Sequence, residues 1–195
     1  MNNIKYIFKG HPIILDGHFK LRSGLHSNTY INKDAIYCNY LVYKTILMKL
    51  RILIRDEFPI EAFNIITGPA IAGAILASTL SLNFKKTFIY PEKDSNGNMK
   101  FNRGYDKIIT DKKVLIIEDI ITTGKSVNSV ITAIQDCGGT AIGIMSIWNR
   151  SNVKFTISNF SLITDEIPIW DSKICPLCQK YINLTDPKTG NIIYE

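Results

Sequence analysis

The stretch Val114–Ser126, VLIIEDIITTGKS, decides the fold. It opens on the continuous apolar run Val114–Ile117 and closes on the acids Glu118 and Asp119, the pattern of a strand buried on both faces. Two hydroxyls, a glycine, a lysine and a third hydroxyl follow, with Ser126 in place to cap a helix. Within that helix Val127, Val130, Ile131 and Ile134 fall on one face, and Gly138-Gly139 ends it. Thr140–Trp148 then reads as another strand. Strand, helix and strand in this order make a βαβ crossover, hence parallel strands.

The same alternation extends outward in both directions. Upstream, Asn39–Phe58 lacks proline and glycine and reads as an amphipathic helix with a basic, solvated face. Phe63–Thr67 is a strand, Gly68-Pro69 a turn, Ala70–Leu82 a small-residue helix and Thr87–Tyr90 a strand. Downstream, Phe160–Ile163 adds one more. The fold class is therefore α/β, a mainly parallel twisted sheet flanked by helices. Ligands of such sheets sit beyond the carboxyl ends of strands, so the segments after Thr67, Tyr90, Leu115–Glu118 and Trp148 are the places to search.

The segment after Leu115–Glu118 carries the most chemistry. Two adjacent carboxylates at the mouth of a buried strand are costly unless cations or hydroxyl donors meet them. The turn beyond them, with its backbone amides and the start of a helix, is an anion cradle. One end thus suits hydroxyls or a metal and the other suits phosphate, and a phosphorylated sugar offers both. Gly124-Lys125-Ser126 also has the ending of a nucleotide-binding P-loop, but that motif needs glycine where Asp119 stands.

Composition narrows the remaining classes. The 195 residues, 46% hydrophobic and 21% charged, suit a soluble globular chain with one core. No apolar run is long enough to span a bilayer. The opening MNNIKYIFKGHPIILDG lacks the pattern of a secretory signal, so the expected location is the cytoplasm. A formal net charge of +6 points to anionic partners. The basic residues are scattered rather than striped, so a phosphorylated small molecule fits as well as nucleic acid.

Cys38, Cys137, Cys175 and Cys178 do not make a disulfide framework. Cys175-Pro-Leu-Cys178 is a lone CxxC with no second CxxC or HxxxH to complete a zinc site. The expected reading is a tight turn carrying reduced thiols, with metal or redox work the lesser alternative.

On the residues Glu118–Ser126 the chain resembles the type I phosphoribosyltransferases, whose motif is an apolar strand, two acids, two apolar residues and a Thr/Gly/Ser turn. The resemblance implies that Glu118, Asp119, Ile120, Ile121, Thr122, Thr123, Gly124, Lys125 and Ser126 bind phosphoribosyl diphosphate. The acids would take the ribose hydroxyls, and Thr122–Ser126 the 5′-phosphate. Gly68–Gly73, GPAIAG, is similar to the family's diphosphate loop, with Ala72 where many members have lysine.

The acceptor is read from other segments. Gly17–Asn32, GHFKLRSGLHSNTYIN, resembles the N-terminal hood of orotate phosphoribosyltransferases. Arg22 stands where many members have lysine, and Tyr30 matches an aromatic near the base. Trp148–Ser151, WNRS, is similar to a segment whose arginine contacts the base. The resemblance therefore implies Thr122, Arg150 and Arg22 as orotate ligands. The polar stretch between Tyr90 and Lys112, with a hairpin tip at Asp94–Asn98, is similar to the mobile catalytic loop. There Lys93 matches the loop lysine, and Lys100 and Arg103 are further cations. Lys93 and Asp119 are the expected catalytic residues.

By this resemblance residues 1–195 form one phosphoribosyltransferase domain, with 1–38 contributing to the hood. Orotate and phosphoribosyl diphosphate are the expected substrates, in pyrimidine biosynthesis. Mg²⁺ is the expected cofactor, with no direct side-chain ligand, and a homodimer is expected. A purine-salvage transferase, a non-catalytic phosphoribosyl-diphosphate sensor and an RNA contact surface remain as other readings.

Overall fold

A computed structural model describes residues 7–8, 10–21 and 24–193. In chain order the main elements are β1 (Ile14–Lys20), β2 (His26–Ile31), α1 (Asp34–Cys38), α2 (Tyr40–Glu57), β3 (Ile65–Thr67), α3 (Ala72–Phe84) and β4 (Thr87–Phe88). The hairpin strands β5 (Glu92–Lys93) and β6 (Met99–Lys100) follow, then α4 (Tyr105–Ile109), β7 (Lys113–Ile121), α5 (Lys125–Asp136), β8 (Thr140–Asn149) and β9 (Ser158–Thr164). The chain ends with β10 (Ile169–Trp170), α6 (Pro176–Gln179), β11 (Leu184–Thr185) and β12 (Ile192–Ile193). It divides into two compact units, residues 44–165 and residues 1–43 with 166–195. None of the described helices is long and apolar enough to cross a membrane.

The unit of residues 44–165 holds a five-stranded sheet in the order β4-β3-β7-β8-β9, parallel throughout. Val114–Ile117 are wholly buried at its centre, as a continuous apolar run requires. α5 closes over one face with Val127, Val130, Ile131 and Ile134, in a cluster with Val114, Ile116, Ile121 and Ile144. At about 25 cal/mol per Å² of apolar surface, each such side chain contributes roughly 1.5–3 kcal/mol. α5 ends at Asp136, where Gly138 takes φ +74° and the Gly139 amide donates to the Ile134 carbonyl at 3.0 Å. That is the left-handed glycine stop expected from the sequence.

Two local expectations are corrected. The central strand does not stop at Glu118. It runs to Ile121, because β8 stays paired with it through Ile120–Trp148 and Ile121–Asn149. The acids thus lie inside the ladder, at 6% and 3% exposure. Ser126 does not cap α5. With the strand longer, the turn shrinks to Thr122–Gly124, Gly124 takes the cap position at φ +70°, and Lys125 is the first helical residue. A turn this short needs the left-handed conformation that glycine adopts without strain.

The second unit holds the sheet β10-β2-β1-β11-β12. Its centre is the antiparallel hairpin β1–β2, irregular between Asp16 and Phe19. β11 pairs with β1 at Phe19–Thr185, and β10 pairs with β2 at Trp170–His26. Apart from the family resemblance of Gly17–Asn32, no periodicity in the sequence marks this region. Its strands are short, and β10, β11 and β12 have two residues each, too few for a period to register.

Candidate active site

The strand order locates the site. From β3 the chain moves outward to β4, returns to the far side of β3 as β7, and continues outward to β8 and β9. The winding reverses between β3 and β7, and a doubly wound sheet opens a crevice at the carboxyl ends of the two strands flanking that point. Two segments meet there, the loop at 68–73 and the stretch 118–126, which runs from the acidic end of β7 through the turn Thr122–Gly124 into α5.

Glycine packing shows how closely these loops meet. A Cβ on Gly68 would lie 2.5 Å from the Gly73 and Ile117 carbonyl oxygens, and one on Gly73 would lie 2.7 Å from the Ile117 oxygen and 3.2 Å from Glu118 Oε1. The backbone of 68–73 therefore lies against the acidic strand end, and only glycine allows that approach.

Each acid is oriented by a neighbouring amide. The Asp119 N–H donates to Glu118 Oε1 at 3.0 Å, and the Ile120 N–H donates to Asp119 Oδ1 at 2.7 Å. Ile121 sends its side chain into the core, so its peptide is what it can offer a ligand. Thr122, Thr123, Lys125 and Ser126 are exposed around the turn. Thr123 Oγ1 accepts the Lys125 amide at 3.4 Å. The first turn of α5 presents amides that lack intrahelical partners, and the helix dipole favours an anion there.

Arg150 is brought to the same edge. Its N–H donates to the Ile121 carbonyl at 3.0 Å, which fixes its backbone beside the turn that begins at Thr122. Asn149 shapes this corner, with Oδ1 accepting both the amide and the hydroxyl of Ser151 at 3.0 and 2.9 Å. Val153 and Phe155 pack onto the turn from outside, where a Cβ on Gly124 would meet them at 2.9 and 3.1 Å. Sequence reasoning quoted Asn149 only as part of WNRS, without a role, and missed Val153 and Phe155. The Asn149-Arg-Ser151 spacing, which favours an Asx turn, is the one signal it could have used.

The hairpin tip expected at Asp94–Asn98 is present, with β5 and β6 antiparallel and the Asp94 amide donating to the Asn98 carbonyl at 2.8 Å. The Met99 amide donates to Ser129 Oγ at 2.8 Å, which lays the hairpin on α5. A cleft of about 1020 Å³ lies between them, lined among others by Lys93, Lys100, Lys125 and Ser126. Lys93 therefore shares a cleft with the start of α5. Arg103 instead pairs with Glu92 at 2.8 Å, and that hydrogen bond and charge raise its pKa above the ordinary value. Arg22 lies outside the described residues.

The comparisons with known proteins agree with this architecture. The model of the phosphoribosyl transferase domain matches residues 44–180. An orotate phosphoribosyltransferase of Chlorobium phaeobacteroides strain BS1 is 34% identical over 95% of this chain and 94% of its own length. One of Thermotoga maritima is 30% identical over 94% and 96%. Among solved structures, the orotate phosphoribosyltransferase of Aeropyrum pernix superposes with a TM-score of 0.69 at 20% identity, over 83% of this chain and 93% of that one. The adenine phosphoribosyltransferase of Thermoanaerobacter pseudethanolicus gives 0.60 at 14% identity, over 70% and 88%, a likeness of fold. With its acids and its glycine turn at the switch point of a parallel sheet, the chain belongs to the phosphoribosyltransferase family, and its curated relatives are orotate phosphoribosyltransferases.

Proposed function

We propose that this chain transfers the 5-phosphoribosyl group from phosphoribosyl diphosphate to orotate, giving orotidine 5′-monophosphate and diphosphate in pyrimidine (UMP) biosynthesis. The observation that carries the proposal is the adjacency, at one switch point, of the oriented acid pair, the α5 turn and Arg150. The curated relatives supply the acceptor.

In this reading Glu118 and Asp119 accept hydrogen bonds from the ribose hydroxyls, and the turn Thr122–Ser126 holds the 5′-phosphate. The amides of 68–73 meet the diphosphate. The bond from the ribose to diphosphate breaks as the bond to orotate forms, so positive charge grows on the sugar ring and negative charge on the leaving group. The acids lie beside the first, and Lys93 answers the second. Such a site works by position and fixed charge. Arg150 stacks on or donates to the planar acceptor, a role suited to guanidinium. Thr122 lies between phosphate and base, and Arg22 is a further orotate ligand in this reading.

Mg²⁺ fits this set, because a hard cation takes oxygen ligands and Glu118 and Asp119 hold oriented carboxylates at the strand end. It would be held beside these acids by oxygens that the substrate brings, with no direct side-chain ligand, and would supply charge neutralisation. In this reading the chain works in the cytoplasm as a homodimer, the state expected from the resemblance in its sequence.

Diphosphate release measured with and without orotate tests the proposal. Release that requires both orotate and Mg²⁺ is expected. Release at the same rate without orotate, or none with it, contradicts the reading.

A further inference from the structure

The CPLC segment is not alone in the folded chain. The hairpin β1–β2 carries His18 and His26 on one face, since His26 pairs with Lys20 and His18 lies two residues before it. Strand β10, paired to β2 at His26, leads the chain to Cys175, and the single turn of α6 puts Cys178 beside it. One ligand atom from each of the four residues lies within 4.8 Å of every other. His18, His26 and Cys175 are at most 2% exposed.

The spacing is that of a tetrahedral ion site. Zinc bonds of about 2.0–2.1 Å to nitrogen and about 2.3 Å to sulfur give tetrahedral edges of roughly 3.4 Å N–N and roughly 3.6 Å N–S. Here His18 Nε2 and His26 Nδ1 are 3.1 Å apart. Cys175 Sγ is 3.5 Å from His18 Nε2, and Cys178 Sγ is 3.7 Å from His18 Nε2 and 3.3 Å from His26 Nδ1. Neither cysteine is in a disulfide.

The surroundings prepare the donors. His18 Nδ1 lies 2.8 Å from the Ile182 carbonyl, which can only accept. The hydrogen is therefore on Nδ1, and in the neutral ring Nε2 presents its lone pair to the cluster. A backbone carbonyl on the second nitrogen is the usual support of a metal-bound histidine. Thr185 Oγ1 donates to the His18 carbonyl at 2.7 Å and fixes the same residue from behind.

We propose that His18 Nε2, His26 Nδ1, Cys175 Sγ and Cys178 Sγ form a structural zinc site that ties the N-terminal hairpin to the C-terminal segment. Each thiol gives up its proton to solvent on binding, so two protons leave per ion. Two thiolates and two neutral imidazoles balance the charge of Zn²⁺, and the neutral assembly is cheap to bury. Four protein ligands leave no open position, so the site is structural rather than catalytic. It joins two stretches of chain separated by more than 140 residues, within a unit whose strands are short.

The test uses the full chain without a histidine tag, dialysed against metal-free buffer. Elemental analysis should find about one zinc per chain, the stoichiometry of a closed four-ligand site. Cys175→Ser and His26→Ala should each lose it. His26→Cys, which keeps a ligand, should retain it and so separates ligand loss from misfolding. Cobalt exchanged into the wild type should give the intense visible bands of a tetrahedral site and thiolate charge-transfer bands. Wild-type chain that is metal-free as purified and takes up neither ion after reduction overturns the proposal, as does equal zinc in wild type, Cys175→Ser and His26→Ala. Metal content is read without turnover, so this outcome stands apart from that of the transferase assay.

Discussion

Replacing Gly68 by alanine tests whether the approach of loop 68–73 to the acidic strand end matters for donor binding. The added Cβ would stand 2.5 Å from the Ile117 carbonyl oxygen, against 3.4 Å for ordinary contact, a shortfall of 3.4 − 2.5 = 0.9 Å. Ile117 cannot yield, because it lies in the central strand, in register with Met145 of β8. The carbonyl of Gly73, at the same distance, belongs to the first turn of α3. The loop must therefore move by nearly the whole shortfall. Overpacking of this kind costs about 1–3 kcal/mol. For a chain of this size that lowers Tm by about 2–12 °C, at about 2–4 °C per kcal/mol. A displacement near 1 Å in a positioning loop costs up to about 100-fold in rate. The expected result is a drop of about 10- to 100-fold in kcat/KM for phosphoribosyl diphosphate, with a smaller change in the KM for orotate. Gly138→Ala is the control, since Gly138 has φ +74° and its nearest neighbour, Thr110 Cγ2, would be 3.7 Å from the new Cβ. It should lose about 1–2 kcal/mol to left-handed strain and keep its kinetics. Wild-type kinetics and Tm in Gly68→Ala, or equal kinetic losses in the two variants, would refute the reasoning.

Three further outcomes are expected. Asp119→Asn removes the charge from a hydrogen bond worth about 1.5–3 kcal/mol and should lower kcat/KM about 10- to 150-fold, while Arg150→Ala should mainly raise the KM for orotate. Indistinguishable steady-state profiles for the two variants would undo their separate roles. Ile134→Ala, at a wholly buried position of α5, should cost about 2–5 kcal/mol in urea unfolding, and a loss under about 1 kcal/mol would show that this face does not hold the helix. Burial pushes the Cys137 thiol above its ordinary pKa, and Asp106 and Asp136 act in the same sense. Less thiolate is then present at neutral pH, so iodoacetamide should label Cys137 more slowly than the exposed Cys38, with the rate climbing as pH rises. Faster labelling of Cys137 would count against that environment.

The half of the chain around Val114–Ser126 was legible because its signals are local. A buried parallel strand is apolar at consecutive positions, and α5 repeats Val127, Val130, Ile131 and Ile134 at helical spacing, so the crossover can be read in a short window. The strand end was harder. Glu118 and Asp119 look like the start of a loop, and only the partner strand β8 keeps them in the ladder. The unit of residues 1–43 with 166–195 was least legible, since two-residue strands carry no period and its pairings join His18 to Thr185 and Ser27 to Pro168. The four-residue His/Cys cluster was missed for the same reason. CxxC is visible in sequence, but the histidines come from a hairpin near the other end of the chain, and their eight-residue separation matches no ligand motif until the strands are paired.

The central claim is that this chain is a transferase with orotate as its acceptor. Turnover with phosphoribosyl diphosphate and Mg²⁺, offering orotate, uracil, adenine and hypoxanthine in parallel and identifying the nucleotide formed, tests it most directly. Orotidine 5′-monophosphate from orotate, with the other three bases unreacted, is the predicted result. A nucleotide from another base while orotate is left untouched would contradict it.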